Sequence, residues 1–419
     1  MMNNMKVILA HPGRQHSFKV ASALKKNGTL FKYVTTVYDK KNSILMRIVK
    51  FIIRGNDLKR AEGRYNRDLN EDDVIQYCQI SGLIEILLSK YDSSRFFYNR
   101  WHEMTSERFG RKVAKYAIKE GADAVICYDT NALACFDYLR KKAPHIKRIM
   151  DVSAANRSFM KIIYEKDMSI CPAFANKLFT ERKYLWDHGF VDRNNQEIAV
   201  TQFFLVPSEF VKRSLLFSGV CDEQMYLCPY GSNFEITKVD RDYKSEKVCF
   251  LYVGNITEMK GIYYLLEAAL NLRDHITLTV VGKYDNASGI FDKYIKYIKF
   301  TGFVNHNEVV NYLKEADVFV FPSLGEGLSL SVLEAMSFGL PCIVSENSGA
   351  NDAIKDGENG FVIKIQDQKA IEDRMNWFVY NREKIPDMAN AAIEAAKKYT
   401  WENYEKRLAI NMEKILKAE

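Results

Sequence analysis

Short apolar runs alternate with amphipathic segments along most of the 419-residue chain. Runs that are rich in β-branched residues and apolar on both faces predict strands covered by helices on both sides, the pattern of parallel α/β layers. The predicted strands are residues 6–10, 124–128, 148–152 and 203–207 in the first half and 248–254, 276–282, 298–303, 317–322 and 341–345 in the second. We therefore expect an α/β fold.

A polar segment with turn residues, 229–247, separates the two series of strands. Its position, together with a length that exceeds one ordinary core, predicts two doubly wound domains, 1–235 and 236–399. We expect the amphipathic last helix, 400–419, to pack back on the first domain. Ligands of open α/β sheets bind beyond the carboxyl ends of the strands, so two facing sheets would form a cleft lined by strand-end loops. The helical, aromatic-rich stretches within 60–122 indicate no particular function.

The composition is that of a globular protein, with 47% hydrophobic and 27% charged residues. No run of about 18 apolar residues is present, and the first residues lack the pattern of a secretory signal, so we expect a cytoplasmic protein. The eight cysteines form no CxxC pair and have no metal-ligand spacing. This favours reduced thiols, and neither a metal nor a cofactor is predicted.

Positive charge is concentrated near the N-terminus, where residues 1–60 hold 13 Lys and Arg against Asp39 and Asp57. The helix predicted within residues 40–60 has a basic side and an apolar side, formed by Arg47, Lys50 and Arg54 and by Ile44, Leu45, Ile48, Phe51 and Ile52. Such a helix fits the surface of an anionic membrane, and it fits equally a core-packed helix with a basic solvent face. A nucleic-acid partner is not predicted, because the segment lacks a base-reading motif.

The most informative segment is 321–362, in which a glycine-rich loop follows a strand and leads into a helix from about Ser329 to Phe338. The free amides and the positive dipole at a helix N-terminus bind anions. Two carboxylates lie beside this anion site: Glu326 in the loop and Glu334 in the second helical turn. A carboxylate near a phosphate is repelled unless it serves another group, and sugar hydroxyls are the natural donors to both.

These residues lie inside the pattern PS…EG…LEAM…G.P, which resembles family 4 of the retaining glycosyltransferases. The similarity continues in PSEFVKRSLLFSGV…MYLCPYGSN (207–233), LYVGNITEMKGIYYLLEAA (251–269) and GFVNHNEVVNYLKEADVFVFPS (302–323), and more loosely in HPGRQHSFKVASAL (11–24). It implies the GT-B fold, in which two Rossmann-like domains face each other across a cleft. It also implies transfer of a sugar from a nucleotide diphosphate-sugar to a hydroxyl of a glycan or lipid-linked glycan, as in bacterial surface polysaccharide assembly.

The resemblance implies a role for each matching residue. Glu326 would contact the transferred sugar, and Lys260 would neutralise the diphosphate as negative charge develops on its leaving oxygen. Glu334 would hold the ribose of the nucleotide. Further donor contacts are expected from Gly13, Asn255, Gly327, Leu328, Ser329 and Leu330.

Two positions depart from the family pattern. Asn255 stands where an Arg is usual, which removes one of two expected cations, and Arg14 could replace it from the other domain. The His that commonly follows the strand at 148–152 is absent, and His16 and Asn156 are the candidates for the acceptor side.

Two other functions remain open. A nucleotide-sugar epimerase shares the GT-B architecture and would need no acceptor. A non-catalytic nucleotide-sugar-binding protein would tolerate Asn255 and the missing His. The Asp240-Arg241-Asp242 sequence mimics the acidic metal motif of other glycosyltransferases, but it lies in the predicted interdomain turn, so metal dependence is not expected.

Overall fold

Two parallel β-sheets organise the chain in a computed structural model that describes residues 5–41, 43–92, 96–186, 188–243 and 245–418. The first sheet has the strand order β3-β2-β1-β4-β5-β6-β7. Its strands are β1 Val7–Ala10, β2 Leu30–Thr35, β3 Val74–Gln76, β4 Ala124–Tyr128, β5 Lys147–Asp151, β6 Phe203–Val206 and β7 Met225–Leu227. The second sheet has the order β10-β9-β8-β11-β12-β13. Its strands are β8 Val248–Val253, β9 Ile276–Val281, β10 Lys299–Gly302, β11 Val318–Phe321, β12 Cys342–Ser345 and β13 Gly360–Ile363.

Helices connect successive strands, as parallel pairing requires. Those before the second sheet are α1 Ser17–Lys26, α2 Ile44–Ile52, α3 Gly55–Glu62, α4 Gln79–Tyr91, α5 Phe96–Glu120, α6 Leu133–Lys142, α7 Arg157–Ile170, α8 Pro172–Glu181, α9 His188–Ala199 and α10 Glu209–Leu216. Those that follow are α11 Ile262–Asn271, α12 Asp292–Ile295, α13 His306–Glu315, α14 Leu330–Ser337, α15 Gln368–Tyr380, α16 Ile385–Ala396 and α17 Trp401–Lys417.

Both faces of the first sheet are buried. Along β1, Val7 and Leu9 belong to one hydrophobic cluster, while Ile8 and Ala10 belong to another on the opposite face. The alternation follows from the two-residue period of a strand. Two covered faces explain why the strands read as continuous apolar runs, and the predicted α/β fold is confirmed.

The last helix, α17, packs on the first sheet. The chain leaves that sheet after Leu227 and enters the second at Val248. Asn411 of α17 then donates from Nδ2 to the carbonyl oxygen of Leu227 at 2.8 Å. Lys26 of α1 forms an ion pair with Glu405 of α17 at 2.8 Å. The C-terminal helix is therefore anchored on the N-terminal half of the molecule.

Polar contacts, one of them buried, also join the two halves directly. Tyr264 of α11 donates from its hydroxyl to Asp167 Oδ1 of α7 at 2.7 Å. Burial raises the pKa of Asp167 to about 6, with the bonds from Tyr264 and Gln366 acting against burial. Arg213 of α10 donates to Asn347 Oδ1 at 2.6 Å. These contacts fix the two sheets relative to each other.

The segment 40–60 differs from its prediction. It is two helices, because α2 ends at Ile52 and Gly55, with φ of +59°, begins α3. The apolar side chains are mostly exposed, with Ile44 at 73% and Phe51 at 78%, and Met46 is the buried residue of α2. The core-packed alternative for this segment is therefore wrong.

No helix in the described ranges is long and apolar enough to cross a membrane.

Candidate functional site

A cavity of about 540 Å³ lies between loops of the two sheets. Its first wall is built from the loops after β4 and β5 and from the start of α7. Its second wall is built from the turn after β8 and the glycine-rich loop after β11. The polar lining residues used below are Asp129, Ser153 and Asn156 on the first wall and Asn255, Lys260 and Glu326 on the second. This is the carboxyl-end position at which parallel sheets bind ligands.

An ion pair between Lys260 Nζ and Glu326 Oε1 marks the second wall. Lys260 ends a short turn after β8, and Gly261, with φ of +66°, then begins α11. A Cβ at Gly261 would lie 2.1 Å from the carbonyl oxygen of Pro322, so this turn packs directly on the end of β11. Lys260 and Glu326 are only 16% and 19% exposed. The pair therefore presents one cation and one carboxylate to the cavity with limited screening by water.

Four consecutive amides lie at the N-terminus of α14. Within the described chain, the backbone N–H groups of Gly327, Leu328, Ser329 and Leu330 make no hydrogen bond. Ser329 does not cap the helix, since its hydroxyl donates to the carbonyl oxygen of Ser348 at 2.6 Å. Free amides at the positive end of a helix dipole form a site for an anion, as the sequence predicts.

Glu334 lies farther along α14 and is not part of the cavity lining. It is 8% exposed, and its Oε1 accepts a hydrogen bond from Asn233 Nδ2 at 3.1 Å. Trp401 of α17 in turn lies with Nε1 3.3 Å from Asn233 Oδ1. Burial raises the pKa of Glu334, while the Asn233 bond favours the ionised form. A buried carboxylate with one polar partner retains acceptor capacity for a ligand hydroxyl.

Asp129, immediately after β4, is a candidate that the sequence analysis missed. Its Oδ1 accepts two hydrogen bonds from Ser153, one from the backbone N–H at 3.1 Å and one from the hydroxyl at 2.7 Å. No other hydrogen bond to this carboxylate exists among the described residues. Burial raises its pKa. The available signal was a polar residue directly after a fully apolar strand, at the carboxyl end where sites form.

The two walls meet at Ser153. A Cβ on Gly327 would lie 1.9 Å from the carbonyl oxygen of Ser153, closer than real atoms approach. Ser208 also donates from Oγ to the carbonyl oxygen of Gly327 at 2.6 Å. Only glycine lets the backbones come this close. The loop that carries Glu326 therefore touches the residue that orients Asp129.

Two asparagines complete the lining that the sequence predicted. Asn156 accepts at Oδ1 from the backbone N–H of Phe159 at 3.0 Å and so caps α7. Its buried Nδ2 has no hydrogen-bond partner among the described residues and is available as a donor. Asn255 is exposed at the cavity, and its carbonyl oxygen accepts from the Tyr252 hydroxyl at 2.9 Å.

Gly13, Arg14 and His16 lie in the loop between β1 and α1 and do not line this cavity. The Arg14 guanidinium lies 5.5 Å from the centre of the Phe18 ring. His16 Nε2 lies 3.1 Å from Asp151 Oδ1. Arg14 and His16 therefore have partners within the first domain, and none of the three residues is part of the lining to which Lys260 and Glu326 belong.

The acidic pair Asp240 and Asp242 flanks an arginine with a structural role. Arg241 donates to the carbonyl oxygens of Leu313, Ala316 and Phe338 at 2.7 to 2.8 Å. Across the described ranges, no three His, Cys, Asp or Glu side chains are grouped so as to hold a metal ion.

His11 predicts a pH dependence of stability. The side chain is 4% exposed, and burial lowers its pKa from 6.5 to about 4. The unfolded chain therefore binds more protons than the folded one between these values, and stability falls as pH falls through that window. Between pH 7 and pH 5 this single group is expected to cost about 2 kcal/mol of unfolding free energy.

Urea unfolding at both pH values measures this effect. His11→Asn keeps an acceptor near the Gly13 N–H, which donates to His11 Nδ1 at 2.7 Å, and removes the titration. The variant is expected to lose about 2 kcal/mol less than the wild type between pH 7 and pH 5. His145→Asn, which removes an exposed imidazole, is the control. Equal losses in wild type and His11→Asn would contradict the prediction.

Residues 233–399 match the family model described as "Glycosyl transferases group 1". One relative is the Escherichia coli UDP-Gal:alpha-D-GlcNAc-diphosphoundecaprenol alpha-1,3-galactosyltransferase, 32% identical over 186 residues. The match covers 41% of this chain and 46% of that protein. The aligned part therefore spans about half the length of the curated relatives.

Solved structures show the same architecture over the whole chain. A glycosyltransferase from Rickettsia africae ESF-5 is 15% identical, with a TM-score of 0.60 over 100% of both chains. Anabaena HepE, solved in complex with UDP, is 12% identical, with a TM-score of 0.61 over 98% of this chain and 100% of HepE. The fold is thus that of the GT-B glycosyltransferases. The predicted resemblance is confirmed, and the match to the group 1 glycosyltransferase model covers residues 233–399.

Proposed function

We propose that the protein is a retaining glycosyltransferase that moves a hexose from a nucleotide diphosphate-sugar to a hydroxyl of a glycan or lipid-linked glycan, without a metal ion. The observation that carries the proposal is the Lys260–Glu326 pair next to the four free amides of Gly327 to Leu330. Cation, carboxylate and amides together suit a diphosphate joined to a polyhydroxy ring.

The diphosphate would lie on the amides at the start of α14, with Lys260 beside it. Breaking the sugar–phosphate bond develops negative charge on the leaving oxygen, and a fixed cation and aligned N–H groups stabilise that charge where it forms. Lys260 already pairs with Glu326, so a bound diphosphate gives Lys260 a second anionic partner. Glu326 can then accept hydrogen bonds from the hydroxyls of the sugar. Glu334 would accept from the ribose.

The reaction would occur on one face of the sugar. The bond from C1 to the phosphate oxygen breaks, the acceptor oxygen bonds to C1, and the acceptor proton passes to the departing phosphate. This route needs no covalent nucleophile from the protein. Gly327 lies directly against Ser153 and Ser208 of the other half. Closure of the cleft around both substrates would limit water as a competing acceptor.

The acceptor would bind the first wall, where Asp129 and Asn156 present one acceptor and one donor group. The named activity of the Escherichia coli relative has a lipid-linked diphosphate sugar as acceptor. A similar acceptor here would place the enzyme at the inner face of the cell membrane, with residues 40–60 as its peripheral contact. Polysaccharide assembly at the bacterial surface fits such an acceptor.

Donor binding and turnover are tested in two steps. A thermal-shift series with UDP, GDP and ADP should show a higher melting temperature with one of them, because a ligand that binds the folded state stabilises it. UDP is the first choice, because HepE was solved with it. Nucleotide release from the matching sugar donor is then measured with and without glycan acceptors. Release that depends on acceptor supports the transferase, and an altered donor sugar without acceptor would support an epimerase. Binding without turnover over the acceptor panel would favour a non-catalytic binding protein.

Asp129→Asn is expected to raise the acceptor KM about tenfold, because an amide N–H replaces the free acceptor oxygen, at a cost of about 1–2 kcal/mol. The nucleotide Kd should not change, since Asp129 lies on the opposite wall. Asp123→Asn, at the amino end of the same strand, is the matched control. A donor-side effect, or an unchanged acceptor KM, would remove Asp129 from the acceptor site.

A further inference from the structure

Exposed apolar side chains are concentrated on three helices at one edge of the N-terminal half. On α2 they occupy one helical face, and on α4 they recur at Ile80, Leu87 and Tyr91, which again share a face. Each is more than half exposed. We call this surface the helical platform, formed by Ile44, Ile48, Phe51, Ile52, Ile80, Leu87, Tyr91, Phe96 and Phe97.

The three helices are packed together. Met46 and Ile53 share a small hydrophobic cluster with Leu83 of α4. Lys90 at the end of α4 pairs with Asp57 of α3 at 2.5 Å. Trp101 of α5 donates from Nε1 to the carbonyl oxygen of Ser81 at 3.0 Å. The helices α2, α4 and α5 therefore lie together near the edge strand β3, and each of them carries exposed apolar side chains.

Positive charge accompanies this apolar surface. Residues 39–60, which include α2 and most of α3, contain seven basic side chains against Asp39 and Asp57. Both acids are already paired, Asp39 with Lys50 and Asp57 with Lys90. Arg47, Arg54 and Arg60 have no ion pair within the described residues. Their charge is therefore available to an anionic partner.

We propose that the helical platform docks the protein on an anionic lipid bilayer. The apolar side chains would enter the boundary between headgroups and acyl chains, and the arginines would contact lipid phosphates. Single exposed apolar residues are ordinary, but nine on three neighbouring helices indicate an interaction site. A second copy of the chain fits poorly, because it would bring two strongly basic segments together. The platform assigns a function to α4 and α5, for which the sequence indicated none.

Vesicle co-sedimentation of the full chain tests the proposal. The probes are vesicles of phosphatidylglycerol and phosphatidylethanolamine in equal amounts, compared with vesicles of phosphatidylcholine alone. At about 50 mM salt the wild type should sediment with the anionic vesicles at least tenfold more than with neutral ones, and about 500 mM salt should weaken the binding by screening. A wild type that stays in solution with anionic vesicles at low salt would overturn the proposal.

Two pairs of substitutions separate the parts of the platform. Phe51→Glu with Ile52→Glu changes α2, and Phe96→Glu with Phe97→Glu changes α5. Each pair is expected to reduce vesicle binding about tenfold, since charged side chains are costly at the lipid boundary. Phe303→Glu in the C-terminal half, where Phe303 is as exposed as Phe51 at 78%, should bind like the wild type.

The melting temperature and nucleotide binding of the variants should not change, because the side chains are exposed and are not part of the cavity lining. Retained vesicle binding in both pairs would contradict the assignment. Loss of a dimer on gel filtration, with no vesicle binding by the wild type, would assign the platform to self-association instead. Nucleotide binding tests the proposed glycosyltransferase, and vesicle binding tests the helical platform. Either result can be negative while the other is positive, so the two proposals are tested separately.

Discussion

Replacing Glu326 by alanine is expected to lower kcat at least about 100-fold, the usual effect of removing a group that acts in the transition state. Glu326 presents its carboxylate to the cavity and pairs with Lys260. The substitution removes the acceptor for sugar hydroxyls but leaves the cation and the amides of α14. Binding of the free nucleoside diphosphate should therefore be retained, and it can become tighter because Lys260 loses its competing partner.

Acceptor-dependent nucleotide release and calorimetric nucleotide binding measure the two effects separately. Glu358→Ala, an exposed glutamate in the same domain, is the matched control and should leave both unchanged. Glu326→Gln, which keeps the shape and removes the charge, is expected to lie between wild type and Glu326→Ala. Wild-type kcat in Glu326→Ala would refute the proposed site.

The second large effect is expected at Glu334. Alanine there should raise the donor KM about 10- to 100-fold with little change in kcat, because a hydrogen bond to a charged group contributes about 1.5–3 kcal/mol. The effect falls on binding because the ribose does not change during the reaction. Its measurement is the donor dependence of the initial rate, together with the nucleotide Kd.

Glu308→Ala on α13 is the control for Glu334→Ala, since it removes an exposed helical glutamate. Added free sugar should change the initial rate of Glu334→Ala and of Glu308→Ala to the same extent as that of the wild type. A donor KM and nucleotide Kd that both stay at wild-type values would show that Glu334 does not contact the nucleotide.

Much of the fold could be predicted because strands with two covered faces have a strong apolar signal. The prediction at 124–128 coincides with β4, and that at 203–207 differs from β6 by one residue. Three of the missed strands, β3, β7 and β13, lie at sheet edges and have three or four residues. The fourth, β2, lies inside the sheet, but only its second half, from Tyr33 to Thr35, is buried. The strand β3 has three residues, of which only Val74 is buried, so its periodicity is too brief to recognise. The amphipathic pattern at 40–60 could not show which face is buried, because burial depends on neighbours distant in the sequence.

The site residues also fall into those that the sequence could predict and those that it could not. Glu326, Glu334 and the four free amides between them lie in one continuous motif, so their proximity follows from local structure alone. Asp129 and Ser153 follow different strands, and only the parallel pairing of β4 with β5 brings them together. Gly13 was expected by analogy at the diphosphate, but the structure places its N–H on His11 Nδ1. Its donor role remains a prediction.

The close approach of Gly327 to Ser153 has a consequence for engineering. The loop that carries Glu326 lies so close to the backbone of Ser153 that even one added methyl group at position 327 would clash with it. A hybrid enzyme could join this C-terminal half to a foreign N-terminal half. That foreign half would need a backbone that fits against Gly327 as the backbone of Ser153 does. A library that diversified the residues of this loop for new sugar donors would have to keep glycine at position 327.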